Sequence, residues 1–203
     1  MIAGVEVKGE TLTCRRGDRL LFAGLSFAAR PGTLTQITGA NGTGKTSLLR
    51  MIAGLLKPEE GRVTLVREGA GPGADEPAEL LHYLGHQDAL KSQMTARENL
   101  DFAARWQGAA HEPGAALERL GLAAQADLPV GYFSAGQRRR AALARCWMIG
   151  FPVWLLDEPT ASLDANGRAL AVELIGAHVA AGGTVIAATH EVLIAGAAEV
   201  SVR

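Results

Sequence analysis

The sequence predicts an α/β fold with a helical block inserted into it, and three observations carry the prediction. Short β-branched or aliphatic runs alternate with helical patterns at both ends of the 203-residue chain, as expected for strands joined by crossover helices. A glycine-rich segment, Gly39-Ala40-Asn41-Gly42-Thr43-Gly44, stands between one such run and a helix. A continuous apolar run, Val153-Trp154-Leu155-Leu156, ends in Asp157-Glu158, the pattern of a strand covered on both faces and open at its end.

Taken in order, residues 5–29 read as two extended runs punctuated by Gly17-Asp18. Residues 34–38 form a short apolar strand. Residues 47–53 have helical spacing, with Leu48, Leu49 and Ile52 on one side, and Gly54 and Pro58 end that helix. Residues 62–66 alternate like a strand, and 68–77, rich in Gly, Pro and acid, read as a surface loop. Residues 80–84 are a further strand candidate. From 95 to about 148 the pattern is helical, opened by Thr95-Ala96-Arg97-Glu98, a capping box in which hydroxyl and carboxylate satisfy free amides. A helix over 165–181 stops at Gly182-Gly183, and the β-branched run 184–189 follows. The expected organisation is a single domain, 1–203, with a helical insertion at about 88–145.

Composition narrows the function. Hydrophobic residues make up 48% and aromatics 5%, with 25 glycines, so the core is expected to be aliphatic with close helix–sheet packing. A net charge of −1 argues against a nucleic-acid binder that relies on a strong positive field. Cys14 and Cys146 fit no metal spacing and read as reduced thiols of a cytosolic protein. Residues 1–8 have no secretory pattern. No apolar stretch reaches the roughly 20 residues a membrane span needs; the best, 141–156, is interrupted by Arg145 and Pro152. Work at a membrane therefore calls for a partner that carries the chain there.

Gly39 through Gly44, continued by Lys45-Thr46, is a complete Walker A phosphate loop. The glycines let successive amides turn inward on phosphates, and the following helix start adds its dipole. Lys45 would reach the β- and γ-phosphates, and Thr46 would give its hydroxyl to Mg²⁺. Asp157 would act on the Mg²⁺ shell, and Glu158 would polarise the attacking water as general base. A third motif, Tyr132-Phe133-Ser134-Ala135-Gly136-Gln137-Arg138-Arg139-Arg140, places Ser134 and Gly136 at a helix start. That is either a second anion site or an ordinary cap. One chain holds one set of phosphates, so a second site makes sense facing the ATP of a partner copy.

These motifs resemble the ATP-binding cassette (ABC) family. The resemblance implies a P-loop NTPase (RecA-like) core, an antiparallel β subdomain, an inserted α-helical subdomain, and two ATPs sandwiched head-to-tail between two chains. Ser134, Ala135, Gly136 and Gln137 match its signature, with Phe133 for the usual Leu. Ala135 stands where a Gly is usual, tolerable only if that residue needs no positive φ. Gln87, in Leu84-Gly85-His86-Gln87, looks like the Q-loop glutamine that touches Mg²⁺ or its water. Ala161-Ser162-Leu163-Asp164 looks like the D-loop, Asp164 being equally a candidate helix N-cap. His190 looks like the switch histidine that senses the γ-phosphate. No upstream aromatic matches the adenine-stacking residue; Leu12-Thr13-Cys14-Arg15-Arg16 occupies that region, where a guanidinium could stack on the base.

Within the family, Leu12 to Phe22, Gln36-Ile37-Thr38-Gly39-Ala40-Asn41-Gly42, Leu84 to Gln87, Leu90-Lys91 and Ser134 to Gln137 are similar to the ATP-binding subunits of the bacterial cytochrome c maturation complex, the haem exporter or CcmA family. That similarity implies an ATPase at the cytoplasmic face of the inner membrane, paired with a multispanning CcmB-like subunit and energising haem handling. Direct haem binding through Cys14, His82 or His86 lacks a Cys-x-x-Cys-His motif. A soluble ABC ATPase acting on DNA or ribosomes would be expected to carry two cassettes or a long coiled-coil insert. A nucleotide-gated scaffold without turnover sits poorly with intact Lys45, Asp157, Glu158 and His190.

Overall fold

A computed structural model describes residues 2–67 and 80–202; the loop expected at 68–77 lies outside them. The chain divides into two compact units, Met1–Gly85 with Pro152–Glu158 and Gly176–Arg203, and His86–Phe151 with Pro159–Ile175.

The first unit carries two sheets. Strands β1 (Val5–Arg16) and β2 (Arg19–Ala29) form an antiparallel hairpin, turned at Gly17 with φ 55°. Strand β4 (Glu60–Arg67) pairs antiparallel with the other side of β1. The second sheet is parallel throughout, in the order β5-β6-β7-β3-β8. Its strands are β3 (Leu34–Thr38), β5 (Leu81–Leu84), β6 (Val153–Asp157), β7 (Thr184–Ala188) and β8 (Ala198–Ser201). Every residue of β6 and β7 is buried, which explains their unbroken apolar sequences. Strand β8 shows no pattern in the sequence, because four residues, three of them exposed, are too few for alternation to register. It pairs with the outer edge of β3, and Val202 N–H then donates to Thr38 O at 2.8 Å.

The order of the central strands decides where chemistry can occur. Asp157 of β6 and Ile37 of β3 both lie opposite Ala188 of β7. Three neighbouring strands thus stop at one level, at their carboxyl ends, where open α/β sheets bind ligands. Helix α1 (Lys45–Ile52) leaves this edge and buries Leu48, Leu49, Met51 and Ile52 in a core with Val5, Val7, Leu12, Ile37, Leu155 and Ile186. Fully burying each such side chain contributes about 2 kcal/mol. The helix starts two residues earlier than its apolar spacing indicates, at the Walker lysine itself.

In the second unit the helical pattern of 95–148 resolves into α2 (Ala96–Gln107), α3 (Pro113–Arg119) and α4 (Ala135–Ile149), which pack on one another. Gly108 (φ 76°) closes α2, and Gly121 (φ 65°) follows α3. Leu100, Leu117, Leu120, Leu122, Val130, Phe133 and Leu143 are among its buried apolar residues. The Thr95 capping box forms: Glu98 N–H donates to Thr95 Oγ1 at 3.1 Å and Thr95 N–H to Glu98 Oε2 at 2.8 Å. Helix α5 (Ala165–Ala180) begins in this unit, and its residues from Gly176 belong to the first.

Near the end of α5, His178 stacks on the buried Trp154 ring at 3.9 Å, and a Cβ at Gly183 would collide with its imidazole. Its Nε2 lies 3.2 Å from Pro152 O; a carbonyl only accepts, so Nε2 carries the proton. Burial lowers the His178 pKa from 6.5 to about 4 despite that hydrogen bond. The folded state therefore favours the neutral ring. Its contribution is complete above pH 6.5 and drains away as pH falls toward 4. Stability is expected to drop by about 2 kcal/mol between pH 7 and pH 5 from this group. Urea unfolding at the two pH values checks it, and His178→Gln should remove that share of the slope.

Candidate functional site

Strand β3 runs directly into the glycine loop, and the backbone there explains its composition. Gly39, Gly42 and Gly44 have φ of 149°, 79° and 115°, a region that favours glycine. At Gly39 a Cβ would also strike Val202 O, and at Gly44 it would lie 3.1 Å from the Phe22 ring. Gly44 is the N-cap of α1 and supplies no side-chain acceptor, whereas α2, α4 and α5 are capped by Thr95, Ser134 and Asp164. The first amides of α1 are thus left for an anion, with the helix dipole behind them.

Lys45 is only 8% exposed. Its Nζ donates to Gly39 O at 2.8 Å and Ala40 O at 3.1 Å, which holds the ammonium within the loop that precedes it. Thr46 Oγ1 donates to Asp157 Oδ2 at 2.9 Å. A hydroxyl and a carboxylate one hydrogen bond apart are hard oxygen ligands of the kind Mg²⁺ takes alongside phosphate oxygens, so these residues fit the cation.

Glu158 follows with φ 49°, a conformation that costs a non-glycine residue about 1 kcal/mol. Its N–H donates to Ala188 O at 2.8 Å, which holds the turn. The turn sends the two acids to different partners: Asp157 to Thr46, and Glu158 to His190, whose Nε2 is 3.6 Å from Glu158 Oε1. The same nitrogen is 2.8 Å from Asn41 Oδ1 and 3.3 Å from Lys45 Nζ. With a proton on Nε2, His190 donates to Asn41; with a lone pair there, it accepts from Lys45. Both tautomers have a partner, and the loop asparagine, the lysine, the second carboxylate of the strand end and the histidine meet at one point. Sequence order alone cannot show that meeting, because the residues come from three strand ends.

In the second unit, Ser134 makes a capping box at the start of α4. Gln137 N–H donates to Ser134 Oγ at 3.2 Å, and Ser134 N–H to Gln137 Oε1 at 2.8 Å. Ala135 is the first residue of α4 and is not among the described residues with positive φ, so its methyl group brings no left-handed backbone strain. Gly136 is different: a Cβ there would sit 2.8 Å from Ser162 O, so the signature glycine lets the 161–164 turn pack against it. Ser162 itself has φ 63°. Asp164 is the N-cap of α5, accepting from Gly167 N–H at 2.7 Å.

Gln87 lies in a segment clamped from α4. Arg139 Nη1 donates to Asp88 Oδ1 at 3.0 Å, Arg145 Nη1 to Ala89 O at 2.7 Å and Arg145 Nη2 to Asp88 O at 3.1 Å. Neither arginine stands out as functional from the motif alone. The available signal was periodicity: Arg139, Leu143 and Cys146 share a buried helix stripe, where a charge needs a counter-charge. Both cysteines are free and buried, and desolvation pushes the Cys146 thiol up to about 12.

A parallel sheet with a glycine cradle, a lysine and an acidic strand end defines a P-loop nucleotide-binding protein. Residues 22–161 match the family described as ABC transporter. The chain is 46% identical to the cytochrome c biogenesis ATP-binding export protein CcmA of Rhizobium meliloti (strain 1021), covering 93% of each. It is 49% identical to the protein of that description from Rhodopseudomonas palustris (strain BisB5), covering 92% of each. The chain belongs to the ABC transporter family and, within it, to the CcmA-type ATP-binding subunits. It is an ATP-binding, ATP-hydrolysing subunit of that transporter class. The fold is shared with a putative ABC transporter ATP-binding protein from Pyrococcus furiosus, at TM-score 0.81 and 20% identity over 97% of each chain. It is shared too with the ATP-binding subunit of another ABC transporter, at TM-score 0.78 and 21% identity over 91% of this chain and 79% of that one. Among the described residues no helix is long and apolar enough to cross a membrane.

Proposed function

We propose that this chain hydrolyses Mg-ATP as a head-to-tail dimer, peripheral to the cytoplasmic face of the inner membrane, and energises haem handling in cytochrome c maturation with a CcmB-like multispanning subunit. The observation that carries the reading is the meeting of Lys45, Asn41, Glu158 and His190 beside the Thr46–Asp157 pair, in a chain whose near relatives are named for cytochrome c biogenesis.

In this mechanism the amides of Gly39 to Thr46 and the Lys45 ammonium hold the phosphates. Thr46 and Asp157, with Gln87 as the Q-loop residue, would hold Mg²⁺, which when bound neutralises charge on the β- and γ-phosphates. Glu158 orients the attacking water and takes its proton, and His190 bridges Glu158 and the γ-phosphate. Ser134, Ala135, Gly136 and Gln137 of one copy close on the ATP of the other, and Asp164 lies in the turn that lines that interface. Residues 88–145 act as the helical subdomain that passes closure to the membrane subunit. Almost all of the rate comes from positioning and charge stabilisation, as in other phosphoryl transfers.

The biological assignment is testable by complementation. A bacterium lacking its own CcmA-type subunit, supplied with this chain, is expected to regain c-type cytochromes with covalent haem, visible by haem staining. Glu158→Gln should restore none. Full membrane recruitment and ATP turnover without cytochrome recovery would refute the haem assignment while sparing the ATPase.

A further inference from the structure

Gln36 marks a sequence stretch that the nucleotide-binding motifs leave without a role. It sits in the interior of the parallel sheet, opposite Ala187 on one side and Glu199 on the other, and is only 4% exposed. An amide this deeply buried in a strand is costly unless both ends are hydrogen-bonded. Both ends are bonded, and both bonds go to the segment just past His190. Gln36 Nε2 donates to Glu191 O at 3.1 Å, and Leu193 N–H donates to Gln36 Oε1 at 3.0 Å. Their polarity fixes the orientation of the amide, because a flipped amide would oppose donor to donor and acceptor to acceptor.

The same segment is held from two further directions. Glu191 N–H donates to Thr189 Oγ1 at 3.1 Å, and Leu193 is buried. His190 is thus a half-exposed residue at the start of a stretch in which Glu191 and Leu193 are pinned, chiefly by one side chain from the strand that leads into the phosphate loop. Gln36 and Gly39 share one short β3–loop segment, so the loop and the histidine are referenced to the same strand.

We infer that Gln36 is a positioning residue for His190: its side-chain amide fixes the backbone that aims the imidazole at Asn41, Lys45 and Glu158. The inference rests on the proposed role of His190 in turnover. The Gln36 amide bonds to the backbone past His190, not to the phosphate loop or to Thr46 and Asp157. Its effect should therefore fall on the chemical step and not on nucleotide binding, which the loop amides and Lys45 control.

The test uses the full-length chain with Gln36→Met, which keeps the volume and removes both hydrogen bonds, and Gln36→Glu, which keeps the acceptor for Leu193 N–H. Two readouts are taken: steady-state ATP hydrolysis, and the His190 imidazole Cε1–H signal followed through a pH titration by NMR. For Gln36→Met, kcat is expected to fall about tenfold, as for a small misplacement of a catalytic group. KM for ATP should stay within about twofold, and the His190 signal should shift. Gln36→Glu should show the same pattern with a smaller fall, and it decides the matter if the Met variant does not fold. An unmoved His190 signal, or kcat and KM changing together with thermal midpoint alone, overturns the inference. Wild-type turnover in His190→Ala would instead overturn the catalytic reading of His190, and the NMR comparison would still report on the positioning.

Discussion

Glu158→Gln is expected to lower phosphate release by about two to four orders of magnitude while ATP remains bound. The reason is geometric. Asp157 is already committed to Thr46 Oγ1 at 2.9 Å, which leaves Glu158 as the acid at this strand end with a carboxylate directed to the histidine, 3.6 Å from His190 Nε2. Glutamine keeps the shape and loses the acceptor that removes a proton from water. The phosphate loop, Lys45 and Thr46 are untouched, so affinity for ATP should hold or rise, because the proposed closed dimer would no longer be opened by hydrolysis. Phosphate release measured beside retained radiolabelled nucleotide separates the two quantities. A variant that turns over normally would remove Glu158 from the mechanism.

Lys45→Ala is expected to act one step earlier, on binding itself. The ammonium is almost buried and is held by Gly39 O and Ala40 O, so it is oriented before a phosphate arrives. Removing a charge-assisted hydrogen-bond donor of this kind costs about 3 kcal/mol, or a hundredfold or so in ATP affinity. Turnover should vanish at ordinary ATP concentrations, and titration with a fluorescent ATP analogue should show the weaker binding. His190 would also lose a neighbour 3.3 Å away, so high ATP should not fully restore kcat.

The parts of this site legible in the sequence were those whose chemistry is carried by consecutive residues. The phosphate loop declares itself through glycines that the backbone needs, at φ values of 149°, 79° and 115°. Asp157-Glu158 was visible because a buried strand must end somewhere and polar residues mark the end. The capping box at Thr95 and the candidate cap at Ser134 were readable for the same local reason; the first forms, and the second forms as a full box with Gln137. Contacts between residues far apart in the chain were not readable. Gln36 is bonded to residues 155 and 157 positions away, and a lone glutamine in a strand gives no sign of its partners. Arg139 meets Asp88 across 51 positions. Strand β8 was hidden by its shortness, and the left-handed turn at Glu158 by the absence of a glycine where one would be expected. Asp164 shows the opposite case: the N-cap its type suggested is formed, and the same residue still stands in the turn assigned to the dimer interface.

The central claim is that each hydrolytic centre is shared between two copies, the loop of one meeting Ser134 and Gly136 of the other. Mixing two inactive variants tests it most directly. Lys45→Ala lacks a working loop but keeps its signature; Ser134→Arg keeps its loop but blocks its signature. In a head-to-tail dimer of one of each, one centre combines the intact loop with the intact signature. Random mixing in equal amounts should then restore about a quarter of wild-type ATP turnover, from two preparations that have none alone. If Ser134→Arg is fully active by itself, or if the mixture stays as inactive as its components, the centre is not shared in this way and the account is contradicted.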